Sequence, residues 1–437
     1  MKKVFLWSIV IALGGFLFGF DTAVISGAER AIQQLWQLNV FEHGLTVSIA
    51  LIGTVLGALL GGIPSDRLGR RKTLLGVAAL YLISSLGAAL ASSWIPFLIF
   101  RFLGGLGVGA SSVTAPLYIS EISPARSRGR MVALFQTNVV FGILIAYLSN
   151  YAFEGVGEHA WRWMLGIQAV PSLLFLFLLL GVPESPRWLI TKLGEVTQAR
   201  SVLQIINPEG YEQDVVAILN SQTLQEHESE NLWAKQNRFP VMLAIVFAFF
   251  NQVSGINAII YYAPRIFEMA GFGKSSSLLS TTGIGLVNFC FTLLAMNFID
   301  RFGRRTLMLI GSVGVIATLG LVARAFYTGQ FDSVPYLLFV YIAFFAFSQG
   351  AVIWVFISEI FPNSIRAQGQ ALGSFTHWFM AALIAFTFPY LAEKLGGGHT
   401  FSFFAIMMVL QLVFVWRVMP ETKGTSLEQI EKTLVIH

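Results

Sequence analysis

The chain has 437 residues, of which 55% are hydrophobic and 12% charged, and its mean hydropathy is +0.71. A soluble globular domain carries roughly twice that share of charge, so that class is excluded. The net charge of +5 does not point to nucleic acid, because the basic residues lie in short stretches between apolar runs.

Those runs are about 20 residues long, enough to cross about 30 Å of hydrocarbon as helix. They lack the period-2 alternation of a transmembrane barrel strand. Taken in order, twelve spans are predicted, near 5–29, 44–64, 73–91, 96–120, 131–152, 163–182, 239–263, 278–299, 306–327, 335–360, 369–392 and 401–418. The first run follows Met1-Lys2-Lys3 and resembles a signal peptide at its start. It continues to about Ala28 with Gly14, Gly15, Gly19 and Asp21 inside it, and is read as an uncleaved spanning helix.

The parts expected are an N-terminal six-helix bundle (1–182), a linker (183–238), a C-terminal six-helix bundle (239–418) and a tail (419–437). The linker is the one long polar stretch. It carries helix-compatible pieces at Val196 to Ile206 and Glu212 to Glu230. The single cysteine, Cys290, permits no internal disulfide, and no His/Cys cluster suggests a metal. No Walker A sequence or other enzyme motif is present, so neither ATP-driven transport nor catalysis is expected, and no cofactor beyond a coupling proton.

The two halves echo each other. Ser65-Asp66-Arg67-Leu68-Gly69-Arg70-Arg71-Lys72 returns as Ile299-Asp300-Arg301-Phe302-Gly303-Arg304-Arg305-Thr306, with Asp66 and Asp300 234 positions apart. Ile119 to Pro124 returns at Ile357 to Pro362, and Pro183-Glu184-Ser185 at Pro420-Glu421-Thr422, at offsets of 238 and 237. Three echoes in one order indicate a duplicated half.

Lys and Arg set the expected orientation. With the N-terminus cytoplasmic, the inner segments hold 21 of the 28 Lys+Arg and the outer loops five: Arg30, Arg162, Arg265, Lys274 and Lys394. Both termini and the linker are therefore predicted to be cytoplasmic.

This architecture, with Asp66-Arg67-Leu68-Gly69-Arg70-Arg71 after the second span, resembles the major facilitator superfamily. Further motifs narrow the resemblance to its sugar porter family. They are Pro183-Glu184-Ser185-Pro186-Arg187, Gln252-Val253-Ser254-Gly255-Ile256-Asn257 with Tyr261-Tyr262, Asp300 to Arg305, Trp354 to Pro362, and Pro420-Glu421-Thr422-Lys423-Gly424. The resemblance covers the whole chain. It implies the major facilitator fold, transport of a small sugar through the bilayer, and alternating access between the two bundles.

Asp21 and Arg101 are the ionisable residues deep in the N-terminal half. A carboxylate at bilayer depth is costly unless paired or hydrated. One reading is a switchable pair that opens when Asp21 is protonated; the other is a static ion pair that fixes helix packing. The resemblance favours the first, because proton-coupled sugar porters carry Asp and Arg at these positions while facilitative members usually have a neutral residue at the first.

Gln136 in the fifth span, Asn251, Gln252 and Asn257 in the seventh, and Asn288 in the eighth can donate and accept, which suits an uncharged polyol. Each alone could equally serve helix–helix hydrogen bonding. As a set matching the family's sugar-binding motifs they are expected to line the substrate site, together with Trp354, His377 and Trp378. Tyr261 and Tyr262 are expected at an outer gate.

Three departures from the family stand out. Asn251 replaces a Gln, Ala351 replaces a Pro in the tenth span, and His377 stands where Asn or Gln is common. His377 could bind sugar while neutral, titrate, or simply pack.

Each half also repeats a set of charges at the span ends: Asp66, Arg70, Arg71, Glu121, Arg128, Glu184 and Arg187, then Asp300, Arg304, Arg305, Glu359, Arg366 and Glu421. By resemblance these form a cytoplasmic latch.

The function expected is proton-coupled symport of a neutral monosaccharide, a hexose or a pentose. A facilitative uniporter is the alternative, and a membrane sugar sensor is disfavoured by the short tail. The protein is expected to work as a monomer in a cell membrane, a prokaryotic inner one from its short termini and loops, with sugar and bilayer as its partners and no nucleic acid.

Overall fold

The computed structural model describes residues 2–225, 231–362 and 365–423, apart from the side chains at 125, 221–225 and 300. Among the described residues the regular structure is helical. Twelve helical stretches are long and apolar enough to cross a membrane. They are Lys2–Leu35, Val40–Leu60, Arg70–Leu90, Trp94–Glu121, Arg128–Val156, Ala160–Leu179, Lys235–Met269, Lys274–Ile299, Arg304–Thr328, Val334–Glu359, Arg366–Lys394 and Gly396–Arg417. They are called the first to twelfth spans below.

Large apolar side chains such as Ile99, Phe177 and Ile406 point outward and are more than half exposed. Such faces suit a hydrocarbon surround.

The residues fall into two compact units. One gathers the chain up to Val24, Ile49–Ala146, and the stretch from Arg162 through the linker. Within it the third span packs against the fourth and the sixth. The second and fourth spans approach through Gly57, Gly105 and Gly109, where an added Cβ would overlap a carbonyl of the facing helix. Small residues let spans pack this closely where hydrocarbon supplies no hydrophobic drive. The linker holds helices at Val196–Ile206, as the sequence predicts, and at Tyr211–Gln225. The remainder of the second predicted piece, from 226 to 230, lies outside the described residues.

The other unit gathers Ile25–Ser48, Tyr147–Trp161 and the C-terminal half. In it the ninth span packs against the tenth and twelfth, and the seventh against the eleventh. A cluster including Leu243, Phe247, Phe356, Ile357 and Phe361 forms its core, with the Phe247 and Phe356 rings 4.6 Å apart.

The sixth, seventh and tenth spans, predicted as continuous, are interrupted, the sixth only between Ala160–Gly166 and Ala169–Leu179. The seventh is Arg238–Val253 and Ile256–Met269, joined through Gly255 at φ 85°. Glycine adopts that left-handed conformation without steric cost. The tenth is Val334–Phe347 and Gln349–Glu359, interrupted at Ser348 with φ −116° and ψ −88°. Broken helices at bilayer depth persist only where neighbouring groups satisfy the freed backbone. Here the Tyr341 hydroxyl donates to Ser254 O at 3.0 Å.

Candidate functional site

In the first unit Asp21 and Arg101 meet. Arg101 Nη1 donates to Asp21 Oδ1 at 2.8 Å and Nη2 to the Asp21 carbonyl at 3.2 Å. Both side chains are 2% exposed. Gln136 belongs to the same unit and is half-buried on the fifth span.

In the second unit the break at Gly255 gathers the amides. Asn257 Nδ2 donates to Gln252 Oε1 at 2.6 Å, across the break. Gln252 Nε2 donates to Asn251 Oδ1 at 3.0 Å and lies 3.1 Å from His377 Nδ1. Asn251 Nδ2 reaches the Gln349 carbonyl at 3.4 Å, beside the second break. His377 sits between Trp354 and Trp378, each ring 4.8 Å away by centroid. Asn251, Gln252, Asn257, Trp354, His377 and Trp378 thus form one connected group from the seventh, tenth and eleventh spans. Asn288, on the eighth span, is buried outside that bonded chain.

The Ala351 departure does not straighten the tenth span. The Ala351 amide donates to Ser348 O at 3.2 Å, and the break falls at Ser348.

Tyr261 and Tyr262 are fully buried. The Tyr262 hydroxyl donates to Ala385 O at 2.8 Å. Ala385 lies four residues before Pro389, which has no amide hydrogen to offer that carbonyl. Pro264 leaves Ile260 O free in the same way, and Tyr147 donates to it at 2.7 Å. The sequence reading missed Tyr147; the proline four residues after its acceptor was the available signal.

The charges at the span ends form matched clusters, one in each unit. Arg70 forks onto Glu121, Nε to Oε2 at 2.9 Å and Nη2 to Oε1 at 3.0 Å. Arg304 forks onto Glu359 at 3.1 and 2.7 Å through the same nitrogens. Glu184 accepts the Arg70 and Arg71 amides, and Glu421 those of Arg304 and Arg305. Glu184 therefore caps the positive end of the third span and Glu421 that of the ninth. Asp66 also pairs with Arg70, at 3.0 Å. Arg366 donates to Phe361 O at 3.4 Å, whereas Arg128 and Arg187 are exposed. Asp300 lies outside the residues whose side chains are described.

A further polar group, unmarked by the sequence reading, lies at the opposite end of the spans. Glu29, His43 and Arg265 meet there, with Arg30 paired to Glu268. The hydropathy pattern stops the first span at 29, but the helix runs on to Leu35 and carries Glu29 inward.

Charges and amides buried within the spans of a twelve-span helical chain point to a membrane transporter. The chain belongs to the sugar transporter family: the family described as "Sugar (and other) transporter" matches residues 7–434. It is a transporter and not an enzyme. The arabinose-proton symporter of Bacillus subtilis is 38% identical over 442 residues, covering 99% of this chain and 95% of that protein. The putative metabolite transport protein YwtG of the same organism is 39% identical, covering 97% and 93%. The inward open structure of the xylose transporter XylE from E. coli superposes with a TM-score of 0.88 at 34% identity, covering 98% of this chain and 99% of that one. The fold is that of the major facilitator superfamily.

Proposed function

We propose that the protein is a proton-coupled symporter of a neutral monosaccharide, a hexose or a pentose, working by alternating access. The observation that carries this reading is the buried Asp21–Arg101 pair. Ionised, Asp21 holds Arg101 and ties the first span to the fourth. Protonated, it loses its charge and leaves the guanidinium without its partner. Losing one member of a buried pair costs about 3–5 kcal/mol. That would shift a two-state equilibrium by a factor of roughly 10² to 5 × 10³. The proton is the coupling ion, and no other cofactor is needed.

The sugar-binding groups of the second unit in this reading are Asn251, Gln252, Asn257, Asn288 and His377, with Trp354 and Trp378 covering the C–H faces of the ring; Gln136, in the first unit, keeps the sugar-binding role its motif implies. Neutral donors and acceptors match a polyol, and a buried amide left without its partner disfavours solutes that lack the hydroxyl. Tyr261 and Tyr262 form the outer gate. The Arg70–Glu121 and Arg304–Glu359 clusters, with Glu184 and Glu421, act as the latch on the cytoplasmic face. The Lys and Arg distribution puts both termini on that side of the cell membrane. The protein acts as a monomer.

The test is uptake by energised vesicles. Asp21→Asn should abolish uphill accumulation and sugar-dependent proton entry while exchange of sugar down its gradient persists. Accumulation that survives the substitution would sink the coupling claim and leave a facilitative uniporter.

A further inference from the structure

Outside the Asp21 site, the described spans hold a second buried group of ionisable side chains. Glu29 on the first span and His43 at the start of the second are 1% and 0% exposed. His43 Nε2 lies 2.5 Å from Glu29 Oε2. Arg265 Nη1, on the seventh span, lies 3.2 Å from His43 Nδ1, 3.6 Å from Glu29 Oε2 and 3.2 Å from Gln33 Oε1. The Tyr262 ring stands edge-on to His43 at 6.0 Å. Glu42, on the helix of His43, is taken up by the Asn39 amide, and Glu268 by Arg30. The groups facing the imidazole are therefore Glu29 from the first span and Arg265 and Tyr262 from the seventh, with Gln33 on the far partner, Arg265.

One tautomer satisfies this arrangement. Nε2 carries the hydrogen and donates to Glu29, and the Nδ1 lone pair accepts from Arg265. An imidazolium has a hydrogen on both nitrogens, so Nδ1 would face the guanidinium donor to donor. It would also draw Glu29 to itself and leave Arg265 only Gln33. Arg265 follows Pro264, and the preceding turn is already irregular, with Tyr262 at φ −123° and ψ 19°. That stretch lacks one internal helix hydrogen bond, so its position depends on side-chain contacts such as this one.

We infer that His43 is a positioning residue of the transport cycle: neutral, it clasps the second piece of the seventh span, with Tyr261 and Tyr262, to the first span, and on taking up a proton it releases Arg265. The consequence for transport rests on the reading above; the clasp itself does not. It is a proton-sensitive point separate from Asp21, and it acts on the gate rather than on the sugar.

Backbone hydrogen exchange over residues 261–270 of the purified full-length protein tests the clasp without any sugar. Rates are compared at about pH 8 and about pH 5.5, each corrected for the chemical pH dependence of amide exchange. The wild-type segment should open about fivefold or more faster at the acid pH. His43→Gln, which donates and accepts but does not titrate, should show equal rates. Arg265→Gln should also be insensitive to pH, and it carries the test if His43→Gln fails to fold. An acid response that persists in either variant, or is missing in the wild type, overturns the inference. Tracer sugar exchange in vesicles with equal sugar on both sides is the second arm. Its rate should respond to outer pH in the wild type and not in His43→Gln. Hydrogen exchange as expected with no sugar exchange at all would overturn the transport reading and uphold the clasp; sugar exchange with a pH-blind segment would do the reverse.

Discussion

Gln252 has no spare hydrogen-bonding capacity on its nitrogen. Its two amide hydrogens serve Asn251 and His377, and its oxygen accepts from Asn257. If Gln252 binds sugar, a hydroxyl that accepts from its nitrogen must replace one of that nitrogen's two partners, and the exchange of near-equal bonds keeps the net cost small. Truncation to Ala would strand the Asn257 donor and one face of His377 as well as remove a sugar contact. Gln252→Ala is expected to weaken sugar binding by at least about tenfold, the equivalent of about 1.4 kcal/mol, as read by tryptophan fluorescence or calorimetry. His377→Asn keeps an amide beside Gln252 and should change the ranking among monosaccharides more than the stability. An unchanged ranking would assign His377 to packing alone. At this scale the sequence was informative where a residue was expensive. Asp21 and Arg101 were the deep charges of their half, so each was the obvious partner of the other. Glu29 was not legible in the same way, because it sits where the apolar run ends.

The break in the seventh span is what gathers its amides. A continuous helix would place Gln252 and Asn257 about 140° apart. The left-handed turn at Gly255 brings them to 2.6 Å. A Cβ on Gly255 would lie 2.6 Å from the Phe404 ring and would also hold a side chain at φ 85°. Gly255→Ala is therefore expected to lower the thermal midpoint and the sugar affinity together. Adding Phe404→Ala should restore only part of the loss, since it removes the overlap but not the backbone strain of about 1–2 kcal/mol. Tyr147→Phe removes the donor to the Ile260 carbonyl that Pro264 leaves unpaired, at a cost of about 1–3 kcal/mol. A melting curve should show it, whereas Tyr151→Phe, on an exposed neighbouring turn, should not change the midpoint. Twelve spans were legible from hydropathy because run length is a local property. The breaks were not, because a group that supports the break at Gly255, the Tyr341 hydroxyl on the Ser254 carbonyl, comes from another span. The tenth span makes the point most plainly: it lacks the proline that would have signalled a bend, and it breaks at Ser348 all the same.

At the scale of the whole molecule, duplication gives two copies of one device. Gly69 and Gly303 share a backbone conformation, with φ 96° and 89° and ψ 164° and 158°. Each presents the following arginine to a glutamate fork and the start of the next span to a capping carboxylate. This much was legible, because the echoes at similar offsets name the same residues that the structure bonds together. The mid-span chemistry has diverged, with the Asp21–Arg101 pair in one half and the connected amide group in the other. A lesion in the shared device should therefore act alike in both halves, and a lesion in the diverged parts should not. Glu184→Gln and Glu421→Gln remove a charge from the capped helix end while keeping an acceptor oxygen. If the clusters set which side is open, each should slow net uptake by about tenfold while sugar binding changes only a few-fold, a bias of about 1.4 kcal/mol on the conformational equilibrium. Paired initial-rate and binding measurements on the two variants would check this. Were one to leave uptake at the wild-type rate, the two clusters would not be equivalent halves of a latch, and the inactive copy would be a helix cap alone.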